Sequence, residues 1–184
     1  MVIRKATKTD SEAIARYLLL AMEDIVFEFI GERNAEKAMS FMQHLTGTEN
    51  NQYSYQNCWV VEEEGEVIAA VTLYDGGQLE VLRAPVAQYI EQEYNRPFNP
   101  ENETQAGEFY VDSFGVDPGQ QGKGIGSALL QFLIDEYVHK NGQKLGLLVD
   151  KENPGAKKLY LKLGFQVVGE KTLVEKQMEH LQVK

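Results

Sequence analysis

The segment Gln121-Gly122-Lys123-Gly124-Ile125-Gly126-Ser127 constrains the chain more than any other. It follows a strand pattern over 108–116 and a turn, Asp117-Pro118-Gly119-Gln120. It opens a helix over 124–140 whose apolar face is Leu129, Leu130, Leu133, Ile134 and Tyr137. Helix starts leave backbone N–H groups unpaired and carry partial positive charge, so they receive phosphates well. Glycines let the backbone come close to phosphate oxygens without side-chain interference. The physics points to a phosphate-bearing ligand. A nucleotide P-loop requires GxxxxGK followed by Ser or Thr, which is absent. The strand, glycine turn, helix and following strand to Asp150 imitate the first unit of a dinucleotide fold. The glycines do not fit GxGxxG, however, and the remaining chain is too short for the usual second half. A glycine-rich helix entry that binds nothing is the third reading, and three glycines clustered at an anion-ready start weigh against it.

The rest of the chain alternates strands and helices. Residues 2–6 read as a strand, and Thr9 and Glu12 stand at capping-box spacing before a helix carrying Ile14, Leu18, Ala21, Met22 and Ile25, which continues past Met22. A second helix spans 35–45 and ends near Gly47. Two strands, 58–61 and 67–73, flank an acidic turn in which Gly65 supplies a positive φ. Residues 75–107 form an irregular insertion, with a helical stretch over 79–94 interrupted by Pro85. Segments of this kind are often lids. Its Tyr89, Tyr94 and Phe98 either face a substrate or pack the insertion down, and packing is the preferred reading. A strand over 144–149, a helix from Asn153 to Gly164 and a final hairpin around Met178 and Leu181 complete a single α/β (α+β), three-layer domain over 1–184.

Two motifs carry a family resemblance. Phe114-Gly115-Val116-Asp117-Pro118-Gly119-Gln120-Gln121-Gly122-Lys123-Gly124-Ile125-Gly126 resembles the acyl-CoA-binding signature of the GCN5-related N-acetyltransferases (GNAT). That signature is Arg or Gln, two residues, Gly, one residue, then Gly or Ala; Gln121, Gly124 and Gly126 meet it. A second element, Asn153-Pro154-Gly155-Ala156-Lys157-Lys158-Leu159-Tyr160-Leu161-Lys162-Leu163-Gly164-Phe165, stands at the family's distance from the first. The match is specific over 108–168, and the first half fits only in its order of elements. The resemblance implies a central mixed, mostly antiparallel sheet flanked by helices, with splayed central strands. It also implies acetyl-CoA as the acyl-donor cosubstrate. Its pyrophosphate would rest on the backbone of Gln121, Gly122, Gly124, Ile125, Gly126 and Ser127, with Lys123 in the same turn. Its pantetheine arm would lie along Phe114, Gly115 and Val116, beside a neighbouring strand that begins near Leu145, with Asn153 in contact. Gln121 replaces the commoner arginine at a position that works through its backbone.

Amine acylation poses two proton problems. A lysine-like amine, with a pKa of about 10.4, must lose a proton before attack, and the departing thiolate must gain one. By resemblance Tyr160 is the general acid. For the base, Glu108, Tyr110 and Asp112 share one strand face by alternation and Phe109, Val111 and Ser113 the other. Asp112 is the first candidate, resembling a carboxylate of some aminoglycoside-modifying members. Glu108 is the alternative, and water alone a third. Either carboxylate could instead bind a cationic substrate or cap the sheet. His44, His139 and His180 are scattered, without metal-ligand spacing, and read as surface residues; no metal is expected. Cys58, the one cysteine, begins a buried-looking strand and reads as a small core residue.

The net charge of -10, without a basic stripe, argues against nucleic acid, and no apolar run suits a bilayer or a secretory signal; a cytoplasmic protein is expected. The expected function is acetyl transfer to a small-molecule or protein primary amine by direct attack in a ternary complex. The alternatives are a non-catalytic acyl-CoA-binding sensor or interaction module and, more distantly, a dinucleotide-dependent enzyme. A homodimer is compatible with all three.

Overall fold

Residues 1–174 and 176–184 are described by a computed structural model of the chain. Seven strands form one sheet in the order β1-β2-β3-β4-β5-β7-β6. They are β1 (Val2–Lys5), β2 (Cys58–Glu63), β3 (Glu66–Asp75), β4 (Phe109–Val116), β5 (Leu145–Asp150), β6 (Gln166–Leu173) and β7 (Lys176–Val183). Every neighbouring pair is antiparallel except β4 and β5. The hairpin between β2 and β3 turns on Glu64 and Gly65, both at positive φ.

Both faces of the sheet are covered because β2 and β3 are apolar on both. Val60 and Ala70 join a core with α1 (Ser11–Ile30), α2 (Ala35–Gly47) and α3 (Leu79–Tyr94). Val61, Ala69 and Val71 join a second core with α4 (Ile125–Leu133) and α5 (Pro154–Lys162). Leu129, Leu130 and Leu133 of α4 are fully buried there, each worth roughly 1.5–3 kcal/mol relative to exposure. The helical path continues from α4 as a π-helical stretch, Ile134–His139.

Several local expectations are corrected. The capping box lies at Thr7 and Asp10, on a 3-10 turn ahead of α1, rather than at Thr9 and Glu12. Asp10 is recruited there because Arg4 of β1 also holds it, at 2.8 Å. The helix of 79–94 runs through Pro85 without a break. The aromatics of the insertion, by contrast, pack as expected: Tyr89 stacks on Phe41, Tyr94 meets Phe41 edge-on, and Phe98 meets Phe29 edge-on at 4.7 Å.

Two irregularities in the centre of the sheet matter most. On β4, Ser113 pairs with Thr72 and Val111 with Leu73, so Asp112 is an extra, bulged residue. The bulge flips the alternation beyond it. Phe109, Val111, Phe114 and Val116 share the face toward α4, while Ser113 and Gly115 turn toward α1, which corrects the expectation that Ser113 shares a face with Val111. Next, β4 and β5 pair only at Phe109, Tyr110 and Val111, opposite Leu145, Gly146 and Leu147. Beyond that the two strands part.

Gly115 sits where α1 crosses β4: a Cβ there would overlap the Tyr17 carbonyl oxygen, a backbone atom that cannot swing away. Gly115→Ala is expected to destabilise the fold by about 1–3 kcal/mol through overpacking. Urea unfolding reads this as a lower midpoint at unchanged m-value, and an unchanged midpoint would contradict it.

Candidate active site

The glycine turn forms because Asp117 ends β4 and its carboxylate accepts the Gly119 N–H at 2.7 Å, folding the chain into a 3-10 turn. Gly122 and Gly124 then take φ of 79° and 82°, a region costly for residues with a Cβ. Space above both is open, with nothing within 4 Å of where a Cβ would stand. Gly124 caps α4 without a side chain, so the N–H groups of Ile125, Gly126 and Ser127 have no side-chain cap and no intrahelical acceptor. Together with Gln121, Gly122 and Gly124 these residues line a hollow of about 330 Å³. The exposed Lys123 ammonium donates to Gln120 at 2.7 Å beside it. Gly126 also has a packing duty, since a Cβ there would lie 3.3 Å from the Phe114 ring.

A second cavity, of about 380 Å³, opens where β4 and β5 part. Ser113, Phe114 and Asp112 line one side, Leu147 and Val149 another, and Asn153 and Tyr160 of the α5 end a third. The Asn153 side chain caps α5 by accepting the Ala156 N–H at 3.1 Å. Tyr160 is 8% exposed, and burial pushes its hydroxyl up to about 12, so it stays protonated at neutral pH. Its hydroxyl has no hydrogen-bond partner among the described residues, while the Ser113 hydroxyl is buried and unpartnered.

Asp112 stands at the inner end of this cavity in a buried polar cluster. The Gln52 amide donates to its Oδ2 at 2.7 Å, and so does the Tyr74 hydroxyl, also at 2.7 Å. The same Gln52 nitrogen donates to Glu103, and the Tyr74 oxygen lies 3.1 Å from Glu103 Oε1. Arg83 stands 3.4 Å from that carboxylate. Burial, and then the neighbouring Asp112 charge, push Glu103 up to about 7, with Arg83 opposing. Burial pushes Asp112 up as well. Such a pair readily holds one proton between two carboxylates.

Glu108 lies elsewhere. It keeps the face of Tyr110, but its carboxylate does not line the cavity. Thr104 donates to it at 2.6 Å and Gln182 at 2.7 Å, while His180 Nε2 sits 2.9 Å away. His180 is therefore buried at 5% exposure, correcting its reading as a surface residue. His44 stacks on Tyr89, and His139 is exposed beside Asp135. Cys58 is fully buried against Thr72, and burial pushes its thiol up to about 12, which makes it inert.

The structure thus brings Asp112, Tyr160, Phe114 and Asn153 to one cavity, sets the glycine turn in a hollow beyond Phe114, and leaves Glu108 outside both. Gln52, Tyr74, Arg83 and Glu103 were missed, and no periodicity or motif marks them: they converge from four separate segments. Among the described residues no group of three or more His, Cys, Asp or Glu is placed to hold a metal ion, and no helix is long and apolar enough to cross a membrane.

Comparison with known proteins follows the same lines. The model of the acetyltransferase (GNAT) family matches residues 22–165. A crystal structure of an acetyltransferase is 32% identical with a TM-score of 0.79, covering 100% of this chain and 99% of that one. The fold is also that of an N-acetyltransferase from Staphylococcus aureus Mu50, with a TM-score of 0.85 and 24% identity over 100% of both chains. Among curated relatives, the N-alpha-acetyltransferase RimI of Mycobacterium tuberculosis is 44% identical over 62 residues, 34% of this chain and 37% of that protein. A mycothiol acetyltransferase of Beutenbergia cavernae is 42% identical over 62 residues, 34% of this chain and 20% of that protein. The match therefore spans well under half the length of either curated relative.

Proposed function

Since the chain belongs to the GNAT family of acetyltransferases, we propose that it transfers an acetyl group from acetyl-CoA to a primary amine by direct attack in a ternary complex. The observation that carries this reading is the parting of β4 from β5, with the glycine turn near one end and the Asp112–Glu103 pair at the other.

The fit to acetyl-CoA is chemical. The unpaired N–H groups of Ile125, Gly126 and Ser127 suit a pyrophosphate, with Gln121, Gly122, Lys123 and Gly124 completing the turn. The free strand edge at Phe114, Gly115 and Val116 suits a peptide-like arm, with Asn153 across the gap. When bound, acetyl-CoA supplies an activated acyl group and a thiolate leaving group. Asp112, eased toward proton uptake by burial, accepts a proton from the incoming ammonium. Tyr160, held protonated, donates to the leaving sulfur and regains a proton from the nitrogen once the new C–N bond has formed. Water is excluded from the inner end by Tyr53, Tyr110 and the α1 side chains that border the cavity. Glu108, engaged by Thr104, Gln105, His180 and Gln182, positions the segment that carries Glu103 rather than acting as base. We place the enzyme in the cytoplasm as a single domain, with a small-molecule or protein amine as partner and neither nucleic acid nor membrane.

The test is thermal stabilisation by acetyl-CoA, CoA, NAD and ATP, comparing the wild type with Gly124→Glu. Ligand at a hundredfold excess over Kd adds about 2.7 kcal/mol, which raises Tm by about 5–10 °C in a chain of this size. We expect that shift with acetyl-CoA and CoA alone, and its loss in Gly124→Glu, where a Cβ meets positive φ and a carboxylate meets the anion. No shift with CoA compounds at millimolar concentration rejects the reading. A shift without turnover on any amine identifies the non-catalytic sensor instead.

A further inference from the structure

We propose that the acceptor is a small primary amine with one cationic head and an apolar body, and that Glu103, brought to the cavity by the segment after α3, selects the head beside Asp112. This deepens the acyl-transfer reading and rests on it.

The argument for the cationic head is a charge count. Glu103 and Asp112 are drawn together by two shared groups, the Gln52 amide and the Tyr74 hydroxyl. Arg83 is the one guanidinium or ammonium paired with them among the described residues, 3.4 Å from Glu103 with its side chain 12% exposed. Two carboxylates against one guanidinium leave a single negative charge, which either a proton or one ammonium can balance. Both carboxylates border the cavity, as do the rings of Tyr53 and Tyr110, whose faces attract cations. An ammonium needs three acceptors. The Ser113 hydroxyl supplies one more: its residue is 7% exposed, its Oγ has no partner, and it lines the same cavity.

The argument for the apolar body comes from the opposite wall. Leu20, Met22, Ile25 and Phe29 of α1 face Leu173 and Met178 of the last hairpin. The backbone of α1 breaks helical geometry at Met22, with φ of -130°, and so bends where it borders the cavity. A second ammonium lodged against these side chains loses its hydration without compensation. The other carboxylate of the cavity, Asp150, is already engaged by Lys176 at 3.5 Å and by the Glu152 N–H at 2.8 Å. A volume of about 380 Å³, shared with the acyl end of the donor, suits a compact molecule rather than a folded polypeptide.

The proton balance closes. The ammonium enters as R–NH3+, one N–H bond breaks, and that proton is held by the Glu103–Asp112 pair. The neutral amine attacks the thioester carbon, and the C–N bond forms as the C–S bond breaks. The thiolate takes a proton from Tyr160, which regains one from the nitrogen as the second N–H bond breaks. The pair then returns its proton to solvent. The groups facing Glu103 are Asp112, Arg83, Tyr74, Tyr53 and Tyr110, and the three tyrosines are held protonated by burial. Only the carboxylate pair therefore titrates near neutrality.

The test is CoA release with phenethylamine, isoamylamine, putrescine and glycinamide, on wild type, Glu103→Gln and Glu103→Asp. Wild type should favour the two apolar monoamines in kcat/KM by at least about tenfold. Glu103→Gln should lower that value by about tenfold or more and move the acidic limb of its pH profile downward, because Asp112 loses a like-charged neighbour. Glu103→Asp should recover part of both, and stabilisation by acetyl-CoA should be unchanged in all three proteins. Preference for putrescine or glycinamide, or a Glu103→Gln profile that overlays the wild type, overturns the proposal. Failure of the acyl-transfer reading appears separately, as no stabilisation by acetyl-CoA. In that case stabilisation of wild type by the apolar amines alone, absent in Glu103→Gln, still decides the matter.

Discussion

Asp112→Asn is expected to lower kcat/KM for the amine at pH 7 by about 10²–10⁴-fold, the usual contribution of a positioned proton acceptor. Asparagine keeps the volume and still accepts from Gln52 and Tyr74 through its amide oxygen, so the cluster stays assembled. It cannot take a proton. The pH profiles separate this from a loss of shape. In the wild type the acidic limb should lie near neutrality, since burial raises Asp112 and brings its neighbour Glu103 to about 7. In Asp112→Asn the reaction depends on amine already neutral in solution, a fraction that grows about tenfold per pH unit below a pKa of about 10.4. The deficit should therefore narrow steadily toward pH 9.5, while stabilisation by acetyl-CoA is unaffected. A variant within a factor of about three of wild type at pH 7, well short of what a base supplies, would return the proton to water and leave Asp112 as a binding group.

How much of this was legible in sequence depends on how local each signal is. The glycine turn and the Asn153-to-Phe165 helix are short-range devices: positive φ, an open helix start and an Asn cap are set within a dozen residues. They survive as linear motifs. Alternation placed Glu108, Tyr110 and Asp112 together correctly, then failed at Ser113, because a bulge at Asp112 adds one residue to β4 alone and strand periodicity carries no trace of it. The polar cluster was illegible for a different reason. Gln52 precedes β2, Tyr74 ends β3, Arg83 lies on α3 and Glu103 follows it, so their meeting is a property of the assembled sheet. Among the six acids of residues 75–107 nothing in the chain singles out Glu103. His180 misled in the same way: one histidine on an ordinary strand pattern becomes a buried hydrogen-bond partner only once β7 lies beside β5.

Glu108→Ala is expected to be the most destabilising of these substitutions, by about 3–5 kcal/mol, because it removes one member of a buried polar cluster and strands the others. His180, Gln182 and Thr104 all turn polar atoms to this carboxylate, whose side chain is completely buried. In a chain of this size the loss corresponds to a fall in Tm of about 6–20 °C. The pH dependence has a definite sign. Burial raises Glu108, but hydrogen bonds from His180, Thr104 and Gln182 outweigh it and leave the group below the ordinary glutamate value. Its ionised form therefore stabilises the fold above the unfolded value of about 4.3, and that contribution is lost as pH falls through the folded value. The gap between wild type and variant should be full at pH 7 and shrink in acid. Gly146 supplies an internal check. A Cβ at 146 would overlap the Glu108 carboxylate, so Gly146→Ala alone should be costly, whereas in the Glu108→Ala background it fills vacated space and should cost little. Because Thr104 adjoins Glu103, the single variant should also weaken amine turnover while leaving acetyl-CoA stabilisation intact. A loss below about 1 kcal/mol, the range of an exposed pair, or additive costs in the double variant, would mean that this cluster does not anchor the segment bearing Glu103.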